Sequence, residues 1–159
     1  MIYLKILGCG LVALSGVAVS ISLNKRVSSA LVCAESWESL FVYIKNQVEC
    51  FSLPVGEILS RVDPTLLRKC GYAGEETPAD ISRLVSGTSF ADAETARIVE
   101  SFASEFGRCY KGEQVSRCEY FISLAEERRK KLASELPSKR RLYATLSAAT
   151  SLGVIILFV

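Results

Sequence analysis

Histidine is absent from all 159 residues. The commonest general base and metal ligand is therefore missing, and most hydrolase triads and zinc sites go with it. A concentrated basic face is missing too. Lysine and arginine number 19 against 17 carboxylates, a net charge of only +2, whereas a nucleic-acid binder needs dense cationic charge to neutralise phosphates. Nucleic acid is not an expected partner. No glycine-rich phosphate loop occurs: Gly8, Gly10 and Gly16 fall inside an apolar run, and Gly71 and Gly74 lack the following Lys-Ser/Thr. Cys33, Cys50, Cys70, Cys109 and Cys118 show no C-x-x-C pair and no even framework, which argues against an oxidised scaffold or a cysteine-only zinc centre. They read as small buried hydrophobes. Glu75 and Glu76 are adjacent acids beside Gly74, and in a loop such acids are usually solvated. No catalytic residue, metal or cofactor is expected.

The charges that are present avoid both ends of the chain. Every carboxylate lies between Glu35 and Glu135, and neither Leu7 to Leu23 nor Leu142 to Val159 contains an Asp, Glu, Lys or Arg. Mean hydropathy is +0.29, high for a soluble domain. Each run approaches the ~20 apolar residues that a helix needs to cross a hydrocarbon core, so two membrane spans are expected. Three readings of the first compete: a cleaved signal with Ala18-Val19-Ser20 as cleavage site, a lipoprotein signal ending at Cys9, and a retained anchor. Lys25 and Arg26 follow the run while only Lys5 precedes it, which favours the anchor. Lys139, Arg140 and Arg141 precede the second run. Both basic clusters place the middle of the chain in the cytoplasm, giving residues 1–26 and 139–159 as spans and 27–138 as a cytoplasmic helical domain. Gly16-x-x-x-Ser20 and Ala149-x-x-x-Gly153 add weak small-residue faces for close helix approach.

Between the ends the pattern is helical. Val27, Ala30, Ala34, Trp37, Phe41, Ile44, Val48 and Phe51 recur at steps of three and four, a coiled-coil-like seam that Leu31 and Leu40 widen. A second seam runs through Val115, Cys118, Ile122, Ala125, Leu132 and Leu136, with Arg129 interrupting and Phe121 and Leu124 broadening it. Both helices end beside a membrane run, so they are expected to form an antiparallel stalk with their seams buried together. Shorter helices are punctuated by Pro54, by Asp63-Pro64 with Gly71 as a stop, by a cap across Thr77 to Asp80 with Gly87 as a stop, and by a cap across Ser89 to Asp92 before a helix ending at Phe106-Gly107. Only Gly71 to Glu76 reads as loose, and no period-two strand appears. The expected fold is all-α.

The run Arg128-Arg129-Lys130-Lys131, preceded by Glu126-Glu127, reads as a solvated helical face or a partner surface without an internal need. Arg128 and Lys131 on that face are expected partner contacts, as are Arg108 in the loop from Gly107 to Gly112 and the neighbouring Glu113 and Gln114. Trp37, Phe41, Ile44 and Val48 are expected to carry the structural seam.

Three stretches, taken in order, resemble the stage III sporulation protein AB family. They are Leu23-Asn24-Lys25-Arg26 at the end of the first run; Ile44 through Val48-Glu49-Cys50-Phe51 to Pro54 and Leu59; and Phe106-Gly107-Arg108, Glu113-Gln114 and Cys118-Glu119-Tyr120 with the closing Pro137-x-Lys139-Arg140-Arg141-Leu142-Tyr143. The resemblance implies a mother-cell protein of the channel complex joining mother cell and forespore, integral to the outer forespore membrane. Its helical domain would look like the cytoplasmic domain of the type II secretion platform protein, and its partners would be a stage III sporulation protein AA-like ATPase and other channel-complex membrane proteins. The family brings no catalytic residues. Lys111-Gly112 stands where a longer polar loop is common, and Ser52-Leu53 where a threonine is frequent, so these loops depart from the pattern. The competing reading is a membrane-bound sensor or thiol-based redox protein, which would need an exposed thiol of low pKa.

Overall fold

Among the described residues there are six helices: α1 (Ile2–Phe51), α2 (Val55–Ser60), α3 (Pro64–Lys69), α4 (Ile81–Ser86), α5 (Ala93–Glu105) and α6 (Lys111–Phe158). The computed structural model describes the backbone of residues 2–51, 53–107 and 110–158, and their side chains except those of 2–17, 20, 147, 151–152 and 154–158. Among the described residues there is no strand, only an isolated bridge between Tyr72 and Thr88, and the all-α expectation holds. Two compact units emerge: Ala30–Leu132, and a terminal unit of Met1–Ser29 with Ala133–Val159. Much of both apolar runs, including the side chains of residues 6–17, lies outside the described residues. Among those described, no helix is long and apolar enough to cross a membrane.

Within Ala30–Leu132, α1 and α6 run antiparallel. Lys45 bonds Glu119 at 2.6 Å and Glu38 accepts from Arg129 Nε at 2.6 Å, so numbers fall along one helix as they rise along the other. The seam from Ala30 to Val48 is buried, with Trp37, Phe41, Ile44 and Leu40 almost wholly enclosed. Phe51 departs from expectation: it is 65% exposed. Cys50 beside it is exposed as well. Opposite, Cys118, Phe121, Ala125 and Leu132 of α6 are buried. The helix α5 closes the bundle through aromatic contacts, Phe102 lying 4.5 Å from Phe41 and 5.3 Å edge-on from Phe121 between ring centroids.

Local chemistry sets where the short helices begin. Asp63 accepts from Thr65 N, Asp80 from Arg83 N and Asp92 from Thr95 N, each satisfying an orphan first-turn amide. The cap of α4 is thus Asp80 itself, not Thr77 with Pro78 at the first helical position as the sequence suggested. Asp80 supplies a short acceptor three residues before the Arg83 amide.

The segment expected to be loose is tied down. Gly71 takes φ +98°, a conformation that favours glycine, and its carbonyl accepts from Ser89 N at 3.0 Å while Ala73 N donates to Gly87 O. A Cβ on Gly71 would sit 2.6 Å from Ser89 O, so glycine is required there on two counts. In the terminal unit, Arg140 donates to Ser28 Oγ at 3.0 Å, and Pro137 lies inside α6.

Truncating Phe41 removes the ring shared by three aromatic neighbours, which for a buried aromatic costs about 3–5 kcal/mol. Phe41→Ala should lower the thermal midpoint of the purified chain by more than ~10 °C, read by circular dichroism. An unchanged midpoint would remove this cluster from the account.

Candidate functional site

The expected partner contacts do not form one patch. Arg128 and Glu113 stand fifteen residues apart on α6, about 22 Å along the helix, and Arg108 lies outside the described residues. Glu113 accepts from its own-helix neighbour Arg117 at 2.9 Å, and Arg117 also reaches Glu105 of α5 at 2.7 Å. Gln114 is half-buried, its backbone amide bonded to Tyr110 O.

Arg128 overturns the reading of its run as a face without internal need. Its side chain is only 11% exposed. Nε donates to Asp92 Oδ2 at 2.9 Å and Nη2 to Asp92 Oδ1 at 2.6 Å, a bidentate pair, while Nη1 reaches Glu94. Arg128 therefore does not project freely, and reversing its charge would leave Asp92 facing a like charge in a half-dry site. Lys131 remains exposed, 4.0 Å from Glu94.

Asp92 serves two helices at once. Its carboxylate caps α5, accepting from the Thr95 amide at 2.8 Å and the Thr95 hydroxyl at 2.7 Å, and it holds Arg128 of α6. Burial alone pulls the carboxyl upward, but the Arg128 guanidinium and the Thr95 donors outweigh it and bring it down to about 2. Nothing local in the sequence signals a pair separated by thirty-six positions; the sequence marked a cap across Ser89 to Asp92 without singling out Asp92.

The thiols are equally committed to structure. Cys33 Sγ and Trp37 Nε1 both donate to the Cys70 carbonyl, at 3.1 and 3.0 Å. Burial pushes the Cys33 thiol up to about 11, with Asp92 adding to it, and burial pushes Cys118 to about 11 as well. Cys70 is raised too, by burial and by neighbouring Cys33. These shifts oppose the thiolate that nucleophilic or redox work requires. Cys50 is exposed, against expectation, and Cys109 lies outside the described residues. Among the described residues no group of three metal-type side chains gathers. Glu75 and Glu76 are exposed, and Glu76 is engaged only through its backbone carbonyl, which accepts from the Tyr72 hydroxyl at 2.9 Å.

Comparison with known proteins gives one family: the family model described as stage III sporulation protein AB matches residues 5–159. No curated protein and no solved structure matches.

Because the Asp92 pKa is depressed when folded, its contribution to stability is complete above the unfolded value near 4 and is lost as pH falls through about 2. Denaturant midpoints of the wild type should therefore drop between pH 4 and 2. Asp92→Asn should start lower at pH 7 and lose less across that window. Parallel curves for the two proteins would show that Asp92 contributes nothing to the acid dependence.

Proposed function

The chain belongs to the stage III sporulation protein AB family, and on that premise we propose that it is a non-enzymatic membrane adaptor of the channel complex between mother cell and forespore. Terminal spans, residues 1–26 and 139–159, hold it in the outer forespore membrane. The helical domain between them, residues 27–138, faces the mother-cell cytoplasm and positions a secretion-type ATPase resembling stage III sporulation protein AA under the channel, as a type II secretion platform protein would. That the chain is a sporulation protein follows from the family; the adaptor role is the reading built on it.

The observation that carries this reading is the extent of the family match, residues 5–159, which takes in both apolar ends and the helical middle together. Lys25 and Arg26, and Lys139 to Arg141, support the orientation, because basic residues beside a span stay on the cytoplasmic side. Support for a role in binding comes from the bundle, whose Cys33 thiol bonds the Cys70 carbonyl and whose Asp92 and Glu38 carboxylates pair with Arg128 and Arg129, contacts that brace helices. The thiol-based alternative gains nothing from Cys33 and Cys118, both held protonated at neutral pH.

Full-length chain in mild detergent should retain the ATPase on an affinity resin and show no ATP turnover in its absence. A periplasm-type reporter fused after Val159 should be active and a cytoplasmic one dark. ATP hydrolysis by the chain alone, or a bright cytoplasmic reporter at that position, would overturn the reading.

A further inference from the structure

Arg97, Ile98 and Ser101 on the outer face of α5 lie across a shallow groove of roughly 230 Å³ from Tyr120 and Leu124 of α6, with Phe121 as its floor. All belong to the Ala30–Leu132 unit. Ile98 and Leu124 are half-buried within the groove, and Arg97, Ser101 and Glu105 form an exposed polar edge along α5. Tyr120 stands out at 59% exposure, yet its ring is not loose: it packs edge-on against buried Phe121 at 5.3 Å between centroids. A tyrosine with few rotatable bonds, already held, loses little entropy when covered, and this is the kind of residue that anchors interfaces. Exposed Val32 and Val42 on α1 are scattered single side chains of the ordinary sort.

The two ends of the groove differ in charge. At one, the Glu105 carboxylate is neutralised by Arg117 at 2.7 Å. At the other, Arg97 is exposed and, among the described residues, has no carboxylate within ion-pair distance. Its helical neighbour Glu94 is drawn instead to Arg128 and Lys131. The groove therefore joins aliphatic and aromatic side chains to a polar edge on α5, and at the end nearer the start of α5 it carries a cation, Arg97, without an ion-pair partner among the described residues. From Arg97 to Glu105 it extends about 12 Å, a little over two helical turns.

We infer that this α5–α6 groove receives an amphipathic helix of the protein partner, one presenting aliphatic side chains one turn apart and a carboxylate positioned for Arg97. The inference rests on the adaptor reading above and moves the contact away from Arg128, whose groups are spent inside the bundle. Helix-in-groove recognition fits the dimensions: the aliphatic residues cover Leu124 and Ile98, Tyr120 closes over them, and the Arg97 pair fixes polarity and register.

Binding of the full-length chain in detergent to the purified ATPase tests it, with affinity measured for wild type, Arg97→Glu, Tyr120→Ala and the control Glu127→Lys, each checked for folding by circular dichroism. Arg97→Glu and Tyr120→Ala should each weaken binding at least ~10-fold while Glu127→Lys changes it less than twofold. Replacing the matching partner carboxylate by arginine should restore affinity to Arg97→Glu. If wild type binds and the groove variants bind equally well, the groove is not the contact and the adaptor reading stands. If the same variants instead abolish self-association of the chain, the occupant is a second copy and the inference fails. If wild type does not bind the ATPase at all, the adaptor reading falls and this inference falls with it.

Discussion

Two consecutive arginines on α6 hold the helical bundle in register. Adjacent positions on a helix point about 100° apart, so Arg128 reaches Asp92 on α5 while Arg129 reaches Glu38 on α1 at 2.6 Å. Asp92 leaves neither carboxylate oxygen idle, since Thr95 supplies an amide and a hydroxyl to the same group that Arg128 grips. A pair this enclosed gains little net stability over an apolar replacement, because desolvation offsets attraction. Its effect is on specificity. Any slide of α5 along α6 breaks a bidentate bond and leaves charge stranded, so Phe102 arrives at Phe41 and Phe121 in one position only. The spacing of the α5–α6 groove follows from the same fastening.

A second constraint acts close to the first, since Trp37 lines one small cavity with Thr95 and Arg128. Trp37 is almost fully buried, and its indole N–H requires an acceptor there. The Cys70 carbonyl at the end of α3 requires a donor, as the last carbonyls of every helix do. Each answers the other at 3.0 Å. Gly71 then turns the chain with a positive φ and brings its backbone against Ser89, in the link between α4 and α5. Charge fastens α5 to α6, and a neutral hydrogen bond nearby fastens α1 to the end of α3.

How far the sequence revealed this depends on the range of each interaction. The seam from Ala30 to Val48 was legible because burial imposes a period on a single helix. Asp63, and the stretch from Ser89 that ends in Asp92, were legible as helix starts because cap and amide lie within three residues. Pairs such as Asp92 with Arg128, or Glu38 with Arg129, join helices far apart in the chain and leave no periodic trace, so one arginine read as a surface charge and the other as an interruption. The tie between residues 71–73 and 87–89 was hidden for a different reason: it is made by backbone groups, which every residue type carries. Phe51 matched the seam's spacing, but spacing on one helix says nothing of what packs against it. The α5–α6 groove was invisible because its walls come from two helices and its character from an arginine that, among the described residues, has no ion-pair partner.

The central claim is that Asp92 and Arg128 act as a coupled fastener between α5 and α6. A double-mutant cycle measures this directly, with denaturant stabilities of the wild type, Asp92→Ala, Arg128→Ala and the double variant at pH 7 and moderate salt. The account predicts that each single change is costly and that the double variant is far less destabilised than their sum, with a coupling energy of about 1.5 kcal/mol or more. Additive losses, with coupling near zero, would contradict it.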